Sequence, residues 1–156
     1  MTPAVAEVRD LLDAVTDPEI PVLTIADLGI LRDVRIGPGD LVEVDITPTY
    51  SGCPAMDAIR ADVAGVLEAH GIHGATVRTV LAPAWSTDWM SEAGRRKLAD
   101  FGIAPPGGPV LVELGVRCPQ CGSTDTRLRS RFSSTACKAL YSCASCAEPF
   151  DHFKSL

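Results

Sequence analysis

VDITPTYSGCPAMDAI, residues 44–59, changes its period in the middle. Val44 and Ile46 alternate with polar residues as in a half-buried strand, whereas Met56 and Ile59, continued by Val63, Val66 and Leu67, recur at helical spacing. Gly52 and Pro54 punctuate the change, and Cys53 stands between them. With Pro54 as the first helical residue, Cys53 falls at or near the N-cap. There, unpaired backbone N–H groups and the helix dipole are expected to stabilise a thiolate and lower its pKa. The alternative is a buried thiol that only caps the helix. Gly52 lets the backbone approach whatever the sulfur meets, and the hydroxyls of Thr47, Thr49, Tyr50 and Ser51 are close in sequence.

Upstream, GILRDVRI and LVEVDITPT flank Gly37-Pro38-Gly39-Asp40, which predicts a hairpin with Leu31, Val34, Ile36, Val42, Val44 and Ile46 as its apolar positions. The opening TPAVAEVRDLLDAV predicts an amphipathic helix from a cap-like Thr2 and Pro3 to about Val15. Pro18 and Pro21 then break the chain in TDPEIP. Asp17 and Glu19, two carboxylates in that stiffened loop, are candidate site residues or simple turn caps. Downstream, the helix stops at Gly71, where His70 and His73 suit the negative end of its dipole without a ligand role. ATVRTVLA is the next expected strand, and STDWMSEAGRRKLADFG reads as the next helix, with Ser91 and Glu92 near its start and Gly102 past its end.

APPGGP, residues 104–109, is the best linker in the chain. It suggests a first domain over 1–104, a linker over 105–109 and a second module over 110–156. Charge divides the same way: residues 1–108 hold 8 basic and 16 acidic side chains, and residues 109–156 hold 6 and 4. So acidic a first module is a poor partner for nucleic acid, whose phosphates are bound mainly by Lys and Arg. No apolar run approaches the roughly 20 residues needed to cross a bilayer and no export signal is legible, which predicts a cytoplasmic protein without a membrane partner.

Five of the six cysteines lie in the second module. CPQC at 118–121 and CASC at 143–146 are two knuckles separated by 21 residues, close to the spacing of a ribbon-type zinc site. Cys118, Cys121, Cys143 and Cys146 are therefore the expected metal ligands of a closed structural site, with iron in the same thiolates the open alternative. The segments between the knuckles alternate like short strands. Arg117, Arg127, Arg129, Arg131 and Lys138 make the module mildly basic, but few aromatics are available to stack bases, so nucleic acid is not the expected partner. Cys137 is left over and reads as a small strand residue; His152 could replace a ligand, but four thiolates suffice.

Together, DPEIPVLTIADLGILRDVRI, VDITPTYSGCPAMDAI and PAWSTDWMSEAGRRKLADFGI resemble the MIP18 (DUF59) family of iron-sulfur assembly proteins. VRCPQCGSTDTRLRSRFSSTACKALYSCASCAEPFDHFK resembles the zinc-ribbon extension of one branch of it, the PaaD branch that accompanies phenylacetyl-CoA epoxidase. The resemblance implies an α+β fold: a compact domain of a small sheet with packed helices, followed by a small zinc-ribbon β module. It implies a role in assembling iron-sulfur or iron centres, with the oxygenase or reductase subunits of the epoxidase, and iron-sulfur scaffold proteins, as partners. A second copy of the chain is a further partner that the reading leaves open. The family's motifs fall on Thr49, Gly52, Cys53 and Pro54, on Asp17, Pro18 and Glu19, and on Trp85, Met90 and Ser91. By the same resemblance, Cys53 becomes a ligand for a transient iron-sulfur cluster and Cys137 a candidate second ligand.

The chain is not expected to be the oxygenase itself, because a di-iron centre needs Glu-x-x-His pairs and none occurs among its three histidines. No G-x-G-x-x-G marks a flavin or nicotinamide site. Maturation factor, structural subunit and thiol enzyme are the readings that remain, in that order; the last lacks a legible Cys-His pair.

Overall fold

The computed structural model describes residues 2–107 and 115–155. Its first helix, α1 (Val5–Leu12), is shorter than the apolar pattern predicts. Ala4 N–H donates to Glu7 Oε2 at 2.8 Å, so the helix starts from Ala4 and not from Thr2. Val8 and Leu12 are fully buried; Val15 is buried too, but it lies beyond the helix, where its carbonyl accepts from Ile25 N–H at 3.0 Å. The proline-broken loop folds back through a bridge between Thr16 and Thr24. Thr24 then caps the one-turn helix α2 (Ile25–Leu28): Thr24 Oγ1 accepts from Asp27 N–H, and Asp27 Oδ2 accepts from Thr24 N–H.

The hairpin forms as expected from β1 (Leu31–Ile36) and β2 (Val42–Ile46), antiparallel, with Val44 opposite Val34. α3 (Ala55–Ala69) follows and returns the chain to β3 (Thr76–Thr79), which lies parallel to β2, so the sheet order is β1-β2-β3. Val42, Val44 and Ile46 of the sheet and Met56, Ile59, Val63 and Leu67 of α3 are buried, the faces that the two periods predict.

On the other face of this sheet, Arg35 Nη1 reaches Asp33 and Asp45 at 2.7 Å each and its Nη2 reaches Glu43 at 3.2 Å; Arg78 Nε meets Asp45 at 3.0 Å. The Arg35 guanidinium holds both Asp33 and Asp45 below the usual carboxylate range. Because these folded-state values are depressed, their stabilisation is present above the ordinary carboxylate pKa and is lost as pH falls through the lowered ones. Asp45→Asn is therefore expected to lower the melting temperature most at neutral pH and progressively less as pH falls below the ordinary carboxylate value. Melting curves over a descending pH series check this, and a loss that does not shrink with falling pH would remove the electrostatic explanation.

The helix expected with Ser91 and Glu92 near its start forms there, and the residues before it in the same stretch make a separate turn. A 3-10 turn (Thr87–Trp89) comes first; Met90 is then extended at φ −68°, ψ 133°, and α4 (Glu92–Asp100) starts afterwards. The break has a tertiary cause: Ser91 N–H donates to Asp27 O at 2.8 Å and Ser91 Oγ to Asp27 Oδ1 at 3.0 Å. Trp85 is anchored alongside, its Nε1–H donating to Leu28 O at 2.8 Å. Gly29, at φ +73°, is required here, since a Cβ would lie 2.7 Å from that of Trp89.

By compactness the chain forms two units, Met1–Ser91 and Glu92–Leu156. The linker expected over 105–109 falls partly on residues 108 and 109, outside the described residues, as do the first positions of the module expected from 110. In the second unit, β5 (Thr126–Ser130), β6 (Lys138–Cys143) and β7 (Pro149–Phe153) are antiparallel neighbours, and the two-residue strand β4 (Ile103–Ala104) runs parallel to β7. The order is β4-β7-β6-β5. Helices and small sheets together make the α+β architecture that the resemblance implies. No helix among the described residues is long and apolar enough to cross a membrane.

Candidate functional site

Two groups of candidate residues are assembled, one in each unit. In the second unit the sulfurs of Cys118, Cys121, Cys143 and Cys146 all lie within 4.8 Å of one another. Cys118 and Cys146 are 3.7 Å apart, and Cys121 and Cys143 3.5 Å. Metal–thiolate bonds of about 2.3 Å in a tetrahedron imply sulfur separations of about 3.8 Å, so the donor set fits a closed four-thiolate ion. The knuckles are matched turns. Gly122 and Ala147, each four residues after its first cysteine, sit at φ +77° and +65°. Cys118 N–H donates to Ser123 O at 2.8 Å and Cys143 N–H to Glu148 O at 2.9 Å. Three of the thiols titrate together: the backbone N–H of Cys146 draws the Cys143 thiol down, while burial and the neighbouring sulfurs push Cys146 and Cys121 up.

Cys137 is not part of this cluster. Its side chain is buried, with Sγ 3.0 Å from Thr135 Oγ1, just before β6. His152 is also apart, edge-on to the Tyr141 ring at 5.5 Å.

In the first unit, Cys53 is half-buried one residue before the N-cap, which is Pro54. Cys53 N–H donates to Tyr50 O, and Cys53 O accepts from Met56 N–H, both at 3.3 Å, so a turn delivers the thiol to the start of α3. Gly52, at φ +79°, makes that turn and is exposed, with nothing within 4 Å of where a side chain would begin. Asp17 Oδ1 accepts from Glu19 N–H at 2.7 Å and Ile20 N–H at 2.8 Å, so Asp17 shapes its own loop. The same loop brings Asp17 and Glu19 close enough for their charges to act on Cys53. Thr49 lines a separate cleft of about 250 Å³ with Thr47, Tyr50, Leu81 and Trp85.

The expected lowering of the Cys53 pKa is not found. Burial pushes the thiol up; the Ala55 N–H and a hydrogen bond with Tyr50 oppose this, but the carboxylates of Glu19 and Asp17 add to it. The helix terminus acts in the direction its dipole requires and is outweighed. Glu19→Gln should therefore speed alkylation of Cys53 at neutral pH and move the midpoint of its pH profile down. Labelling of the zinc-loaded chain, read at the Cys53 peptide by mass spectrometry, checks this; an unchanged profile would mean that the Glu19 charge does not govern the thiol.

Asp27 and Gly29 carry the anchor for Ser91 and the Trp85–Trp89 segment but do not stand out in the sequence. Thr24-x-x-Asp27 is a capping-box signal for the first; nothing local marks the second.

A family model described as iron-sulfur cluster assembly protein matches residues 5–82. The chain belongs to this family. A second model, the PaaD zinc beta ribbon domain, matches residues 104–154, so the four-cysteine cluster lies in a ribbon of that type. Over 99% of its length the chain is 47% identical to a protein of Escherichia coli (strain K12) named as a component of 1,2-phenylacetyl-CoA epoxidase, 94% of which is covered. A Porphyromonas gingivalis protein named as an Fe-S protein maturation auxiliary factor is 38% identical over 56% of the chain and 84% of its own length. Among solved structures, a DUF59 domain from Bacillus anthracis matches at TM-score 0.56 and 30% identity, over 60% of this chain and 90% of that one. A conserved hypothetical protein of Thermotoga maritima matches at 0.53 and 26%, over 62% and 95%. Both matches are members of the same fold, and the MIP18-type domain implied by the sequence is thereby established.

Proposed function

We propose that this iron-sulfur assembly protein is an accessory factor for a multicomponent phenylacetyl-CoA epoxidase, helping an iron-sulfur cluster or iron centre to form in the oxygenase or reductase subunits, and that it does not itself catalyse epoxidation. The observation that carries this is the gathering of Cys53, Asp17 and Glu19 at the start of α3 in the unit matched by the family. A soft thiolate with carboxylates beside it suits iron as a passing cargo. At neutral pH the raised thiol keeps its proton, and incoming iron displaces it, so loading the site releases a proton. One thiolate cannot retain a cluster that takes four ligands, so the others come from the client, a scaffold protein or a second copy of the chain. For Cys137 to contribute, its buried sulfur would first have to leave Thr135.

Zinc is the ion we assign to Cys118, Cys121, Cys143 and Cys146. It supplies folding energy and no chemistry, and the ribbon it closes serves to dock the client. The protonated state of Cys53 favours one second reading, a non-catalytic structural subunit or docking adaptor of the oxygenase complex. The two are separated by the cluster content of the epoxidase subunits isolated from cells carrying the wild-type chain or Cys53→Ser: a maturation factor changes it, an adaptor does not.

A further inference from the structure

The second unit contains a cleft of about 540 Å³ that neither the metal ligands nor Cys53 uses. Strand pairing explains its walls. Leu128 of β5 lies opposite Tyr141 of β6, and Ala139 of β6 opposite His152 of β7, so one face of the sheet collects them. Phe132, from the turn after β5, closes one side. Leu128 is 49% exposed and Phe132 64%, large apolar side chains in a unit whose core is small.

Among the described residues, the charged side chains that line this cleft are Arg131 and Lys154, and no described Asp or Glu lines it. Lys154 Nζ sits 4.3 Å over the Phe132 ring and donates to the Arg131 carbonyl at 3.0 Å. Asp151, the nearest acid in sequence, is engaged by Ser133 and Lys138. Neither Arg131 nor Lys154 meets a carboxylate among the described residues. An apolar, aromatic-walled cleft with two such cations complements a ligand with a flat apolar body and an anionic head. Its volume lies in the range of small-molecule sites.

We propose that this cleft binds an aryl-acyl group bearing an anion, with the ring between Phe132, Leu128 and Tyr141 and the anion at Arg131 and Lys154. The anion is either the carboxylate of the free acid or the phosphates of its coenzyme A thioester. The inference stands on the cleft alone: cluster handling at Cys53 can fail without touching it, and the reverse.

The test is an NMR titration of the zinc-loaded, nitrogen-15-labelled full chain with phenylacetate, phenylacetyl-CoA and free coenzyme A in separate arms. Saturable shifts at the amides of Leu128, Phe132, Tyr141 and His152 are expected with at least one aryl ligand, and the arm that saturates identifies the source of the anion. Phe132→Ala and Arg131→Gln, both exposed positions, should each weaken that binding about tenfold while zinc content stays unchanged. The proposal is overturned if neither aryl ligand saturates, if free coenzyme A gives the same shifts as its thioester, or if both variants bind as the wild type does.

Discussion

Cys143→Ser is expected to abolish metal binding and to unfold the second unit. Its sulfur is both a ligand and a piece of the core: Cys118 and Cys143 are buried in one cluster with Ala104 and Phe150, against which Val116 and Tyr141 pack. A module this small has little apolar area to offset chain entropy, and structural zinc contributes apparent folding free energies on the order of 10–16 kcal/mol. Serine offers a hard oxygen with a far higher pKa, so the fourth bond is lost and the remaining thiolates face one another without a cation. The measurement is zinc per chain together with the NMR signals of Tyr141 and Phe150. Both tryptophans, Trp85 and Trp89, belong to the first unit, and their emission gives a separate readout of it. A Cys143→Ser chain that retains one zinc and an ordered β5–β7 sheet would refute the closed-site assignment.

The second large effect is expected in cells. Cys53→Ser should lower the cluster content of the client epoxidase subunits by about tenfold or more, the scale on which removing a metal-binding contact changes metal affinity. Serine keeps the size of the side chain and can accept from the Ala55 N–H, so α3 and the turn at Gly52 should persist. What is lost is the soft donor that iron-sulfur chemistry requires. Glu19→Gln should fall between the wild type and Cys53→Ser, because it retains the thiol and removes a hard oxygen that favours a cation. The readout is iron and acid-labile sulfide in the isolated subunits, with the amount of each subunit measured alongside. Unchanged cluster content would leave the adaptor reading in place.

The parts of the fold visible in the sequence are those in which one period governs one element. Val42, Val44 and Ile46 alternate and form β2; Met56, Ile59, Val63 and Leu67 recur at helical spacing and form the buried face of α3. The knuckle spacing brings the four sulfurs together, because two tight turns closing on one ion leave few other arrangements. Where tertiary bonds decide, the sequence is silent. STDWMSEAGRRKLADFG shows a helix starting near Ser91 and Glu92, but nothing in it shows that Ser91 will bond to Asp27. Ile103 and Ala104 are too short a strand to read, since the partner that makes them one, β7, is nearly fifty residues away. Cys53 shows the same limit in electrostatics. Its helix terminus is a local feature and is legible, whereas burial and the approach of Glu19 and Asp17 depend on how the proline-broken loop folds back.

Metal content tests the cargo-handling role of Cys53 most directly. The chain would be produced anaerobically, with zinc, iron and acid-labile sulfide measured per chain for the wild type and for Cys53→Ser. One zinc is expected in both, with substoichiometric iron and sulfide in the wild type that vanish in the variant. One zinc with no iron or sulfide in either chain, or iron and sulfide that survive the substitution, would contradict that role.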